Sequence, residues 1–179
     1  DQGECTVTAT LADGTESVSF LVRVGDITVP VFATSRLEGL RDTGSVSLAD
    51  VAARKGSTPD SILLDAGGSL HGSRSASLTG GMDMLSAFSA AGYDLYAFGA
   101  QDLAYGIERL RSDANMGAGY ALAANLRDAD GAAIFYRSTS WNRNRISNGM
   151  NCILERAGYK IGFFALAGAD AVTQTVSLV

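Results

Sequence analysis

The stretch SILLDAGGSLHGS, residues 61–73, decides how the chain is read. Ile62, Leu63 and Leu64 follow one another without the polar alternation of a half-exposed strand, and the run stops at Asp65. A short apolar run of this kind fits a strand covered on both faces in a parallel sheet. The residues after it, Gly67, Gly68, Ser69, Gly72 and Ser73, are loop formers. Parallel sheets carry their ligand loops at the carboxyl ends of their strands, so this loop is the first place to look for chemistry.

Outward from it, the same texture repeats. Ile27–Phe32 is an apolar strand upstream, with Pro30 arguing for an edge or a bulge. Ser47 is placed to cap a short helix running through Arg54. Downstream, Met82, Leu85 and Phe88, flanked by Met84 and Ala87, form a helical face that Gly92 ends. DLYAFG, residues 94–99, reads as the next strand. Ile107, Leu110 and Ala114 mark another helix, and GYALAANL, residues 119–126, a further strand. After the turn RDADG come three expected strands, Ala132–Ser138, Met150–Arg156 and Lys160–Leu166. Alternating strands and helices imply an α/β fold with a largely parallel sheet and right-handed crossovers.

The amino-terminal segment is different. In ECTVTATLADGTESVSFLVRV, Cys5, Val7, Ala9 and Leu11 alternate with threonines, and Val18, Phe20, Val22 and Val24 alternate with Ser17, Ser19 and other residues. Period-two patterning on both sides of Asp13-Gly14 predicts a β-hairpin. Two units follow: residues 1–25 as the hairpin and 26–179 as the α/β domain. The hairpin is either a pair of strands added to the main sheet or the tail of a separate module.

Composition narrows the function. The 179 residues are 46% hydrophobic and 18% charged, which suits a folded domain with a sizeable core. The net charge of −5 argues against nucleic acid as a partner, since binders usually carry a basic stripe. Only WNRNRISN, Trp141–Asn148, approaches one, and it reads as a solvated loop. No apolar run comes near the roughly 20 residues of a membrane span. The chain begins at Asp1 without a visible leader and reads as a piece of something longer. Cys5 and Cys152 form no CxxC or Cys/His cluster, so a zinc site is not expected. Both lie in predicted strands, either paired in an exported protein or as two buried free thiols.

Three post-strand loops carry a family resemblance: ATSRLEGL (33–40), DAGGSLHGS (65–73) and GAQDLAYG (99–106). In order, spacing and glycines they resemble the calcineurin-like metallophosphoesterases of the 5′-nucleotidase / UDP-sugar hydrolase branch, whose loops read TNDxHG, DAGDxxxGS and GNHEFDYG. The resemblance covers about Asp26 to Ala169. It implies a metallophosphoesterase-like domain, the first half of an α/β/β/α sandwich behind the amino-terminal hairpin, and an incomplete one. The hairpin in turn resembles the end of bacterial Ig-like surface domains.

That family clamps a phosphate between two divalent metals and activates a water. Carried over residue by residue, its first-loop metal Asp falls on Arg36 and its His on Glu38. The bridging Asp falls on Gly68. In the third loop the metal-binding Asn falls on Ala100, the catalytic His on Gln101, and the Asp that orients it on Ala104. The frame persists in Asp65, Gly67, Gly72, Ser73, Gly99, Tyr105, Gly106 and Asn125. The family's second half, with its GHxH motif, has no counterpart in the sequence.

The expectation is therefore a degenerate domain with no catalytic residue, no metal and no cofactor, serving binding or scaffolding on an exported, extracytoplasmic bacterial protein. Its partner is left open among a nucleotide, a sugar and a protein. Two alternatives stand beside it: a divergent phosphoesterase whose remaining ligands come from a missing half, and a structural spacer of a surface protein. Glu38, His71 and Asp102 could rebuild a metal site, and Arg36, Ser69, His71, Ser73 and Asp102 could line a residual anion pocket. The plain alternative is a solvated rim with an Arg36–Asp102 or Arg36–Glu38 ion pair.

Overall fold

A computed structural model describes residues 3–10, 13–24, 28–116, 119–135 and 148–168. Strands β1 (Gly3–Thr10) and β2 (Ser17–Val24) pair antiparallel, with Cys5 opposite Val22, Val7 opposite Phe20 and Ala9 opposite Val18. The register places Cys5, Val7, Ala9, Val18 and Val22 on one face, as period-two alternation requires. Asp13 closes the turn by accepting hydrogen bonds from the Thr15 amide and hydroxyl. Among the described residues this hairpin pairs only with itself and adds no strand to the main sheet. Every residue of β1 is exposed, and Val18 is 69% exposed.

That isolation corrects the cysteine expectations. Both thiols are free, Cys152 buried but Cys5 exposed, because none of the described residues covers β1. Burial, with a smaller push from Asp94, raises the Cys152 thiol to about 11.

Strand β3 (Val31–Thr34) begins after Pro30 rather than at Ile27, which lies outside the described residues. The Pro30 carbonyl accepts the Ile62 amide at 2.8 Å, so proline sits at the strand entrance, where its missing N–H costs least. Helix α1 (Leu48–Gly56) starts at Ser47, whose hydroxyl accepts the Ala49 amide. Strand β4 is Ile62–Asp65. Helix α2 (Arg74–Thr79) follows, capped by the Ser73 hydroxyl, which accepts the Ala76 amide. Helix α3 (Met82–Ala91) ends at Gly92 in the left-handed region, as the sequence predicts. Then come β5 (Leu95–Ala97), a 3-10 helix (Ala100–Tyr105), α4 (Ile107–Met116) and β6 (Tyr120–Leu122).

The sheet runs β3-β4-β5-β6, every pairing parallel. Its short strands are apolar on both faces, and alternation divides their residues between two cores. Leu63, Tyr96 and Ala121 pack with Leu48, Leu85, Phe88 and Leu110 of the helices. Ile62, Leu95 and Leu122 pack with Cys152 and Leu154 of a second hairpin, β7 (Asn151–Arg156) and β8 (Tyr159–Phe164). The layers are therefore helices, parallel sheet and antiparallel hairpin.

The expected strand Ala132–Ser138 does not form over 132–135. Asp128 folds that segment into a turn, its carboxylate accepting the amides of Asp130 and Ala132. Ile134 and Phe135 are buried instead as a plug, Phe135 stacked on Phe98 at 4.2 Å. Residues 136–147, including WNRNRIS of the basic stretch, lie outside the described residues. Among the described residues, no helix is long and apolar enough to cross a membrane.

Candidate functional site

The loops after β3, β4 and β5 meet at the carboxyl edge of the sheet. The first two run side by side. The Arg36, Glu38 and Gly39 amides donate to the carbonyls of Gly67, Gly68 and Ser69. Arg36 and Glu38 take left-handed backbone angles, φ 53° and 52°, which turns their side chains outward while Leu37 is buried between them. The two charged side chains, 81% and 59% exposed, approach to 3.9 Å. Such a pair is worth little.

The second and third loops touch through their backbones. A Cβ on Gly67 would lie 2.6 Å from the Gly99 nitrogen, and one on Gly99 2.8 Å from the Gly68 nitrogen. These glycines persist because the loops are too close for side chains.

Two buried carboxylates hold this cluster. Asp65, 1% exposed, accepts the hydroxyls of Thr34 (2.6 Å) and Ser69 (2.8 Å) and the Gly67 amide (2.9 Å). Thr34 also bonds the Tyr93 hydroxyl, and Ser69 accepts the Leu37 amide. Asp102, 0% exposed, accepts the amides of Gly68 (2.7 Å) and Gly99 (2.9 Å) on one oxygen and Leu70 (2.8 Å) on the other. Burial pushes both carboxyls above the usual range, against the pull of their hydrogen bonds, and the Asp102 charge adds a little to the rise at Asp65. Tyr93 is pushed up to about 12, again chiefly by burial.

The other singled-out residues lie as follows. Gln101 is exposed, and Ala100 and Ala104 are half-buried on the 3-10 helix. His71 lies tilted against Tyr105 with ring centroids 5.3 Å apart, and the Tyr105 hydroxyl is buried without a partner among the described residues. Of the five residues considered for an anion pocket, Ser69 and Asp102 bond inward and Ser73 caps α2, while Arg36 reaches toward Glu38. Of the three considered for a metal, Glu38 is exposed, His71 is against Tyr105 and Asp102 is sealed in. Asn125 bonds both ways with Ala167, a structural tie. Sequence reasoning does not assign Thr34 and Tyr93 to the network around Asp65. It also misses a mostly apolar cavity of about 420 Å³ along β3, lined in part by Phe32, Leu37, Val46, Val51 and Arg54.

Two divalent ions do not fit these residues. The position expected to bridge them is a glycine, a cation stands at another, and both oxygens of Asp102 already face amides. Among the described residues, no group of three or more His, Cys, Asp and Glu is placed to hold a metal. No step through a metal follows from such a donor set.

No family model matches the chain, and no curated protein matches it. Solved structures do. A 5′-nucleotidase precursor from Thermus thermophilus matches 80% of this chain at 15% identity with TM-score 0.63. A calcineurin-like phosphoesterase from Bacillus subtilis matches 81% at 16% identity and TM-score 0.59. An NAD nucleotidase from Haemophilus influenzae matches 97% at 15% identity and TM-score 0.54. The chain spans 29%, 50% and 25% of those structures respectively. At these identities the likeness concerns the fold: the chain carries a metallophosphoesterase/5′-nucleotidase-like α/β fold, corresponding to part of a larger domain.

Proposed function

We propose that the chain is a degenerate 5′-nucleotidase-like domain without phosphohydrolase activity. It serves binding or scaffolding in an exported bacterial protein. Its main support is that Asp102, the only acid of the third loop, faces three backbone amides rather than an open cleft. Two-metal hydrolysis needs a bridging carboxylate and an accessible ligand set, and Arg36, Gly68 and Ala100 stand where the resemblance expects part of that set. The loops are tied by hydrogen bonds among themselves, so their arrangement needs no ion. A nucleotide, a sugar or a protein is the class of partner the reading allows.

The test is hydrolysis of p-nitrophenyl phosphate and of AMP with manganese, magnesium or zinc added, beside metal analysis of the purified chain. The expected result is no turnover above the metal blank. Metal-dependent turnover abolished by His71→Ala would overturn the reading and favour a divergent phosphoesterase. A thermal-shift series with nucleotides and sugars separates binder from spacer, since a ligand of the folded state raises the melting temperature saturably.

A further inference from the structure

We infer that the amides of Gly68, Leu70 and Gly99 form a receptor for a carboxylate-class anion, and that its resident ligand is the chain's own Asp102. The receptor is a property of backbone geometry. Gly67 and Gly68 both take positive φ, 99° and 77°. A turn of that kind aims nearby N–H groups into one concavity, the arrangement that binds anions elsewhere. The Gly99 amide enters from the third loop, where its contact with the second brings it beside Gly68. Three donors at 2.7, 2.8 and 2.9 Å then meet two oxygens, within the range of charge-assisted bonds.

Among the described residues, backbone amides and not a cationic side chain face the Asp102 charge. Arg36, the cation whose backbone runs beside this loop, is 81% exposed and turned toward Glu38. Asp102 itself is 0% exposed, so the amide dipoles balance the charge. Asp102 also belongs to the 3-10 helix that it anchors, and its own amide donates to the Gly99 carbonyl. An internal ligand of this kind excludes outside anions, phosphate included, from the concavity.

Truncation makes the receptor available. Asp102→Gly removes a side chain with the atoms of acetate, and Asp102→Ala removes one with those of formate. Each variant and the wild type are melted in chloride, formate, acetate and phosphate at fixed pH and ionic strength. Both variants are expected to melt lower than wild type. Acetate should raise Asp102→Gly, and formate Asp102→Ala, saturably by about 4 °C at a tenfold excess over the dissociation constant. Wild type should respond to none beyond chloride. A carboxylate response no larger than that of wild type overturns the inference, and an equal response to phosphate overturns the ligand class. If neither variant folds, amide hydrogen exchange on wild type decides. Gly68, Leu70 and Gly99 should exchange orders of magnitude more slowly than exposed loop amides, and exchange at the exposed rate overturns the receptor.

Discussion

Asp94 and Asp102 stand at opposite ends of strand β5, and they are satisfied in opposite ways. Asp94, before the strand, accepts Lys55 at 2.7 Å and Arg156 at 2.5 Å, with the Leu63 amide on the same oxygen as Lys55. Lys55 also reaches the Ser61 carbonyl, as does Arg156. This end pins α1 and β7 to the sheet with ions. Asp102, after the strand, is held by backbone amides at 2.7–2.9 Å. The difference shows two means of keeping a carboxylate out of water. Mobile cationic side chains can be recruited from distant elements, whereas amides must be aimed by the backbone that carries them.

The largest loss is expected where backbone geometry is forced to change. Gly67→Ala puts a Cβ 2.6 Å from the Gly99 nitrogen at φ 99°, against the backbone of Phe98 and Gly99 rather than a side chain that could swing away. The expected loss is about 4 kcal/mol, read as an earlier midpoint in urea unfolding. An unchanged midpoint would mean that the two loops are not in contact. At the ionic end, Asp94→Ala leaves two cations facing one another without their carboxylate. Their side chains are only 19% and 24% exposed, so a loss of about 3 kcal/mol is expected. Removing Lys55 as well, through Asp94→Ala/Lys55→Met, should return part of it. A double variant as unstable as the sum of its parts would argue against coupling. The smallest effect belongs to Arg36→Ala. The ion pair with Glu38 is long and solvated, so stability should move by less than about 0.5 kcal/mol, and a larger change would place Arg36 in a role that its exposure does not suggest.

Much of the fold is legible because apolar runs and helical faces are written in side chains. Leu63 with Ile62, and the Met82–Phe88 face ended by Gly92, announce themselves in this way. Helix α2 escapes sequence reading because Arg74–Thr79 has no apolar period; its one buried residue is Ala76. Ala132–Phe135 looks like a strand because a run of apolar residues does not distinguish pairing from plugging. The isolation of the amino-terminal hairpin is not legible either, since alternation reports which residues share a face but not what covers it.

At the loops the limit is of another kind. The substitutions at Arg36, Gly68, Ala100, Gln101 and Ala104 can be read from the sequence, because they change side chains. The partners of Asp102 cannot, because every amide looks alike in a sequence and only the path of the chain decides where it points.

The central sheet carries a consequence for how this chain can vary. Strands of three or four residues divide their side chains between a helical core and a hairpin core, Leu63 to one and Ile62 to the other. A deletion of one residue inside β4 would exchange the two sets and misfit both layers at once. Length changes are therefore confined to the connections. For anyone grafting new loops onto this scaffold, the rule is to cut after the strand and never within it.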